Sequence, residues 1–277
     1  MPNSMGKRLK SLTLSLSIFT LIAIFLAFAA PSSQYELVQN INLKAKFLTT
    51  DVLNNAYIIT NTDQVERYDT AGNLTGRYGE SRYGKLSSVD ASSAFNVLLF
   101  YKDYSTIVMV DNRMNVRNFF KLSSMGINNV SAACLSEDNY IWFFDQDASK
   151  LKKITNSYDI VHESIDLSQM LGMEVKPNFM IERDGIIYLN DPEIGVLLFD
   201  RYGTYYNSFV NPGLSGFQVI NGRLVYPKDD ELHVYHYARK ELNKVKLPVT
   251  SASKGIQLQG NRLYVLTANE LKIYEKK

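Results

Sequence analysis

An all-β fold, a propeller of six blades, is predicted by three observations. A strand that ends in a large apolar residue, then a turn, then an apolar restart recurs about every 40 residues, the spacing of propeller blades. The residues that mark it are Tyr68, Val110, Ile154, Phe199, Tyr235 and Tyr274. A second marker keeps step with the first: Asn54-Asn55, Phe95-Asn96, Asp138-Asn139, Asp184-Gly185, Asn221-Gly222 and Gly260-Asn261 each precede an apolar strand. Asn, Asp and Gly suit such turns because they accept positive φ and match the twist of the flanking strands. Composition agrees, since 18 Tyr and 14 Phe against only seven Pro favour pleated strands.

The chain begins with a basic cluster (Lys7, Arg8, Lys10), an apolar run from Leu12 to Phe28 and a small-residue Ala27-Phe28-Ala29 site. This is the pattern of a cleaved export signal over residues 1–29, or of an uncleaved anchor, since about 18 apolar residues suffice to span a membrane. No cysteine follows the run, which excludes a lipoprotein anchor. Residues 30–34 read as a tether and 35–277 as the propeller.

Blade one is expected as Leu48 to Leu53, Ala56 to Thr60, Gln64 to Tyr68 and Leu74 to Tyr78. Second strands follow at Val97 to Tyr101, Tyr140 to Phe144, Ile186 to Leu189, Arg223 to Tyr226 and Arg262 to Leu266. Outer strands are expected at Val116 to Leu122, Ile160 to Leu167, Tyr205 to Val210 and Glu241 to Leu247. The sixth unit stops at Lys277 after three strands, and a lone alternating strand, Tyr35 to Leu43, has no partner near it. An open edge exposes unpaired backbone groups, so residues 35–43 are expected to close the ring as the fourth strand of the last blade. Ser168 to Val175, between Asp166 and Pro177, is the one stretch that reads as a helical turn.

Net charge is +2, and without the N-terminal cluster the chain is close to neutral. That speaks against nucleic acid or an anionic membrane surface as a partner, both of which call for a basic face. Cys134 stands alone, so no intrachain disulfide forms, and its apolar neighbours mark a buried thiol. The pair His233 and His236 lies in a strand, where an odd separation sends the two rings to opposite faces. No nucleophile elbow, phosphate loop or calcium-binding loop occurs. The Asp column after the marker strands (Asp69, Asp111, Asp200) gives way to Thr155, His236 and Glu275, which fits a turn role and not shared chemistry.

The channel is expected to be lined by Thr50 or Asp51, Asp90, Ser131, Phe179, Gln218 and Gln257. Asp51 and Asp90 are the candidate carboxylates for a divalent cation; the alternative reading has them bonding turns. Exposed aromatics with nearby arginines are the other candidates, since Tyr and Arg are enriched where proteins bind. These are Arg82 and Tyr83 in one connection, Tyr202 and Tyr205 in the fourth blade, and Tyr237 in the fifth.

The stretch Asp51-Val-Leu-Asn-Asn-Ala-Tyr57, followed by Val65-Glu-Arg-Tyr68-Asp69-x-x-Gly72-x-Leu74, resembles the blade consensus of NHL- and TolB-like six-bladed propellers. The whole chain resembles small exported propeller proteins of Bacteroidota. The resemblance implies the fold and transfers no catalytic residue. The expectation is an exported, non-catalytic scaffold that binds a protein or envelope polymer, in the periplasm or held at the inner membrane by its N-terminal segment, with no cofactor. The alternative is a calcium-dependent, lactonase-type hydrolase that uses the channel.

Overall fold

A computed structural model of the chain describes residues 34–248 and 253–277. The export-signal reading of residues 1–29 and most of the tether lie outside the described residues. Six four-stranded antiparallel sheets surround one axis. The inner strands are Ala45–Thr50, Leu86–Asp90, Val130–Leu135, Phe179–Arg183, Gln218–Ile220 and Gly255–Gln259. The outer strands are Leu74–Tyr78, Val116–Lys121, Ile160–Glu163, Tyr205–Phe209, Glu241–Lys246 and, for the sixth blade, Tyr35–Asn42. The expected boundaries hold to within a few residues, with two larger shifts.

The first blade starts earlier than expected because its chain turns at Asp51, where Asp51 N–H donates to the Asn55 carbonyl at 3.1 Å. The third blade's outer strand ends at Glu163, not Leu167: Ser164 bonds back to Leu151 through both its N–H and its hydroxyl. The chain then enters the short helix Leu167–Leu171, whose N-terminus is capped by Asp166 accepting from Gln169 N–H.

Burial explains the strand sequences. The second and third strands of a blade lie between neighbouring blades and are covered on both faces, so Val97–Tyr101 and Thr106–Val110 are buried throughout. Outer strands meet solvent, and Glu241–Lys246 is mostly exposed. The core sits between blades: Leu98 and Phe100 of blade two pack with Ala133 and Phe143 of blade three. At about 25 cal/mol per Å² of apolar surface removed from water, these seams are the main source of stability.

Closure takes the expected form. Tyr35–Asn42 pairs antiparallel with Glu270–Lys276, from Tyr35 opposite Lys276 to Asn42 opposite Glu270, with an irregularity between Leu37 and Gln39. Lys277 N–H donates to Gln34 and Leu43 N–H to Asn269, extending the ladder at both ends. Ile41 and Leu43 also pack on the cluster that joins Leu48 and Ile58 of blade one to Tyr264 and Leu271 of blade six.

Candidate functional site

The turns between third and outer strands repeat one device. Asp69 Oδ1 accepts from Ala71 and Asn73 N–H, Asp111 Oδ1 from Arg113 and Asn115, and Asp200 Oδ1 from Tyr202 and Thr204. Thr155 Oγ1 accepts from Ser157 and Asp159, and His236 Nδ1 from Arg239 N–H at 3.4 Å. The fourth residue of the turn has positive φ whether it is Gly72, Met114, Tyr158 or Gly203, and in blade five the fifth, Lys240, takes that conformation. These bonds hold the Asp69 and Asp111 carboxyls below the usual range, chiefly through Asn73 and Asn115. The column is structural, as the sequence implied.

The central channel encloses about 400 Å³. Of the residues expected there, Thr50, Phe179, Gln218 and Gln257 line it, and Asp90 lines a smaller side cavity. Asp51 does not face the channel. It is 1 % exposed, and its carboxylate accepts from Leu53 N–H, Asn55 N–H, Asn55 Nδ2 and the Tyr57 hydroxyl. Burial, and then the Asp51 charge, push the Tyr57 phenol up to about 12. Asp90 also bonds backbone, Oδ1 accepting from Ser92 N–H and Oδ2 from Leu135 N–H of the next blade, both at 2.8 Å. Ala133 and Ser131 are both buried, and only Ala133 reaches the side cavity. No group of three or more His, Cys, Asp or Glu is arranged to hold a metal ion among the described residues.

The channel amides are committed to holding blades together. Gln218 exchanges two hydrogen bonds with the main chain of Leu258, donating through Nε2 and accepting through Oε1. Gln257 Nε2 donates to the Leu48 carbonyl. Inner strands of adjacent blades diverge from one another, so side-chain amides span the gap their backbones leave open.

The aromatic candidates divide. Tyr83 packs edge-on against Tyr101 and tilted on Phe119, with the Arg82 guanidinium 5.2 Å from its ring centroid and paired to Glu80. Tyr205 packs on Phe199, and Tyr237 on the buried Tyr188. Burial and the Tyr237 hydroxyl together raise Tyr206 to about 12. Tyr202 is the exposed member; it stands edge-on to His162, which stacks on the buried Trp142. Buried Cys134 has its thiol pushed well up by burial, then by Asp90 and Glu182. His233 is buried beside Glu231, apart from the turn that holds His236.

The residues that sequence reasoning passed over lie in the turns from inner to second strands, at one mouth of the channel. Val52, Leu53 and Phe95 are 62 %, 53 % and 64 % exposed, on turns of adjacent blades. Those turns are pinned at their flanks: the Tyr264 hydroxyl donates to the Asn54 carbonyl, and Asn96 Nδ2 to Asn139 Oδ1. A signal was present, since the corresponding turns of the later blades carry only polar residues or glycine: Glu137, Asp138 and Asn139, then Asp184-Gly185, Asn221-Gly222 and Gly260-Asn261.

No protein-family model and no curated protein sequence matches the chain. Solved structures do match in shape. Virginiamycin B lyase from Staphylococcus aureus superposes with a TM-score of 0.63 at 13% identity, over 87% of this chain and 99% of that one. The Pan2 WD40 domain of Neurospora crassa gives 0.57 at 9% identity, over 87% and 95% of the two chains. BBS1N, solved in complex with ARL6DN, gives 0.60 at 9% identity, over 88% and 97%. At such identities the likeness extends to the propeller architecture alone, a scaffold that hosts enzymes and binding modules alike.

Proposed function

We propose that this chain is an exported, non-catalytic propeller that binds a protein partner through the channel mouth bearing Val52, Leu53 and Phe95. The observation that carries the reading is that these large apolar side chains stand exposed on turns fixed by neighbouring blades. Rigid apolar and aromatic anchors cost little ordering entropy on binding, which is the character of interface hot spots. Tyr202, on a turn at the same end, extends the candidate surface, whereas Arg82 lies at the opposite end, in the connection from blade one to blade two. A calcium-dependent hydrolase is the less favoured reading, because Asp51 would have to surrender four hydrogen bonds to reach a metal. The same proposal includes export on the strength of residues 1–29, and kinship with the small exported propellers of Bacteroidota on the Asp51–Tyr57 and Val65–Leu74 pattern.

A photo-crosslinking residue at position 95, used in the native cell, tests this. A reproducible adduct with one protein, lost in the Leu53→Ser/Phe95→Ser variant, is the expected result. An adduct with glycan or envelope polymer in place of protein, or none above background, overturns the assignment.

A further inference from the structure

We propose that the central channel is a binding site for a small organic anion, a carboxylate on an apolar body, with Arg183 as the carboxylate ligand. At about 400 Å³ the channel has the size of a small-molecule pocket, which is typically apolar with a few fixed polar groups. Phe179 and Ile181 of blade four and Ile220 of blade five supply an apolar wall. Thr49, Gln257 and Gln259 face it from blades one and six.

Arg183 ends the inner strand of blade four, is half-buried, and lines both the channel and a side cavity of about 30 Å³. The one hydrogen bond from its guanidinium runs from Nη1 to the adjacent Glu182 carbonyl at 2.7 Å, and no carboxylate lies within ion-pairing distance among the described residues. Arg77, Arg82 and Arg262, by contrast, all pair with glutamates. Two acids line the same cavities as Arg183. Asp90 directs both oxygens to the backbone N–H groups of Ser92 and Leu135, and Asp184 is exposed at the mouth. At the opposite end Lys254 donates to the Ala45 carbonyl at 3.3 Å and has no acidic partner among the described residues, while Lys46 is paired with Asp63.

A guanidinium partly removed from water, with donors left over, favours a planar anion that accepts two parallel hydrogen bonds. A carboxylate meets that geometry with one arginine, whereas a phosphate dianion calls for more donors than this end of the channel presents. The apolar wall beside Arg183 then selects carboxylates that carry an acyl or aryl body. Such a group comes from a free small molecule or from the C-terminus of a polypeptide with an apolar last residue.

Calorimetric titration of the whole chain with 4-phenylbutyrate and with its amide tests the site. The acid is expected to bind about tenfold or more tightly than the amide. Arg183→Gln should bring the two to parity while leaving the amide unchanged. High salt should erode the acid's advantage in the unaltered protein. A short peptide ending in Phe, as free acid and as amide, identifies the source: a peptide acid tighter than 4-phenylbutyrate marks a chain terminus, and a weaker one marks a small molecule. Equal binding of acid and amide, an advantage that survives Arg183→Gln, or no heat from any probe at millimolar concentration overturns the proposal. Should Arg183→Gln fail to fold, the salt series decides, and an acid-to-amide ratio indifferent to salt overturns it. The Leu53→Ser/Phe95→Ser variant leaves these titrations unchanged, so failure of the mouth as a docking surface and failure of the channel site are separable.

Discussion

Two sets of turns lie at the same end of this propeller and differ in kind. Those between third and outer strands repeat an Asp, Thr or His acceptor that bonds the backbone two to four residues on, and Asp69, Asp111 and Thr155 also bond the side chains of Asn73, Asn115 and Asp159 within the same turn. Those between inner and second strands vary, and in blades one and two they hold Val52, Leu53 and Phe95 out to solvent. Repetition in a repeat protein marks what the architecture demands of every blade. Departure from it, where the departing residue gains no burial, marks what the architecture leaves free for recognition. Changes to repeated parts should therefore cost stability, and changes to the departing parts should cost binding alone.

The largest effect is expected at the closure. Removing residues 34–42 strips the last blade of its outer strand and uncovers the Glu270–Lys276 edge. Cooperative thermal unfolding of the whole domain should be lost, as followed by circular dichroism; a truncated chain that melts like the parent breaks the ring-closure account. A smaller loss is expected from Asp51→Ala, which leaves Tyr57 and Asn55 with buried unpaired donors at a cost of about 1–3 kcal/mol in denaturant titrations. The double substitution Leu53→Ser/Phe95→Ser should shift stability by less than about 0.5 kcal/mol, as befits exposed positions. If the ordering of those two variants is reversed, the division between scaffold and recognition turns fails.

The smallest effect concerns acid. The folded-state pKa of Asp111 is depressed below 3.8, chiefly by hydrogen bonding from Asn115 N–H. Its ionised form therefore contributes stability that is present above that value and lost as pH falls through the folded pKa. Replacing it with Asn should flatten the acid limb of stability below about pH 4 and change little near neutrality. An acid limb of unchanged steepness removes the turn from the ledger of acid sensitivity.

Much of the fold was legible because blades are local. Hairpin turns favour a positive-φ residue, and Asn54, Asn139, Asp184, Asn221 and Gly260 all adopt that conformation, whereas the turn of blade two that holds Phe95 and Asn96 contains none. The orphan strand was legible because six units require a fourth strand the C-terminus does not supply. The channel lining was harder to read. The inner strands of blades one, two and three each carry a register irregularity, between Ala45 and Phe47, Leu86 and Ser88, and Val130 and Ala132. One extra residue reverses which side chains face the axis, so counting alternate positions loses its phase. The bonds from Asp90 to Leu135 and from Gln257 to Leu48 join residues of different blades, and no local pattern announces them.

The sequence by itself determined the number of blades, the turn chemistry and the place of closure, since hydrophobic period and backbone preference act over a few residues. Only the tertiary structure decided that Asp51 is sealed inside a turn, that Val52, Leu53 and Phe95 crown one mouth of the channel, and that Arg183 faces its interior with no acidic partner among the described residues. Burial and pairing are properties of the assembled ring, in which every side chain's environment is supplied by the blades beside it.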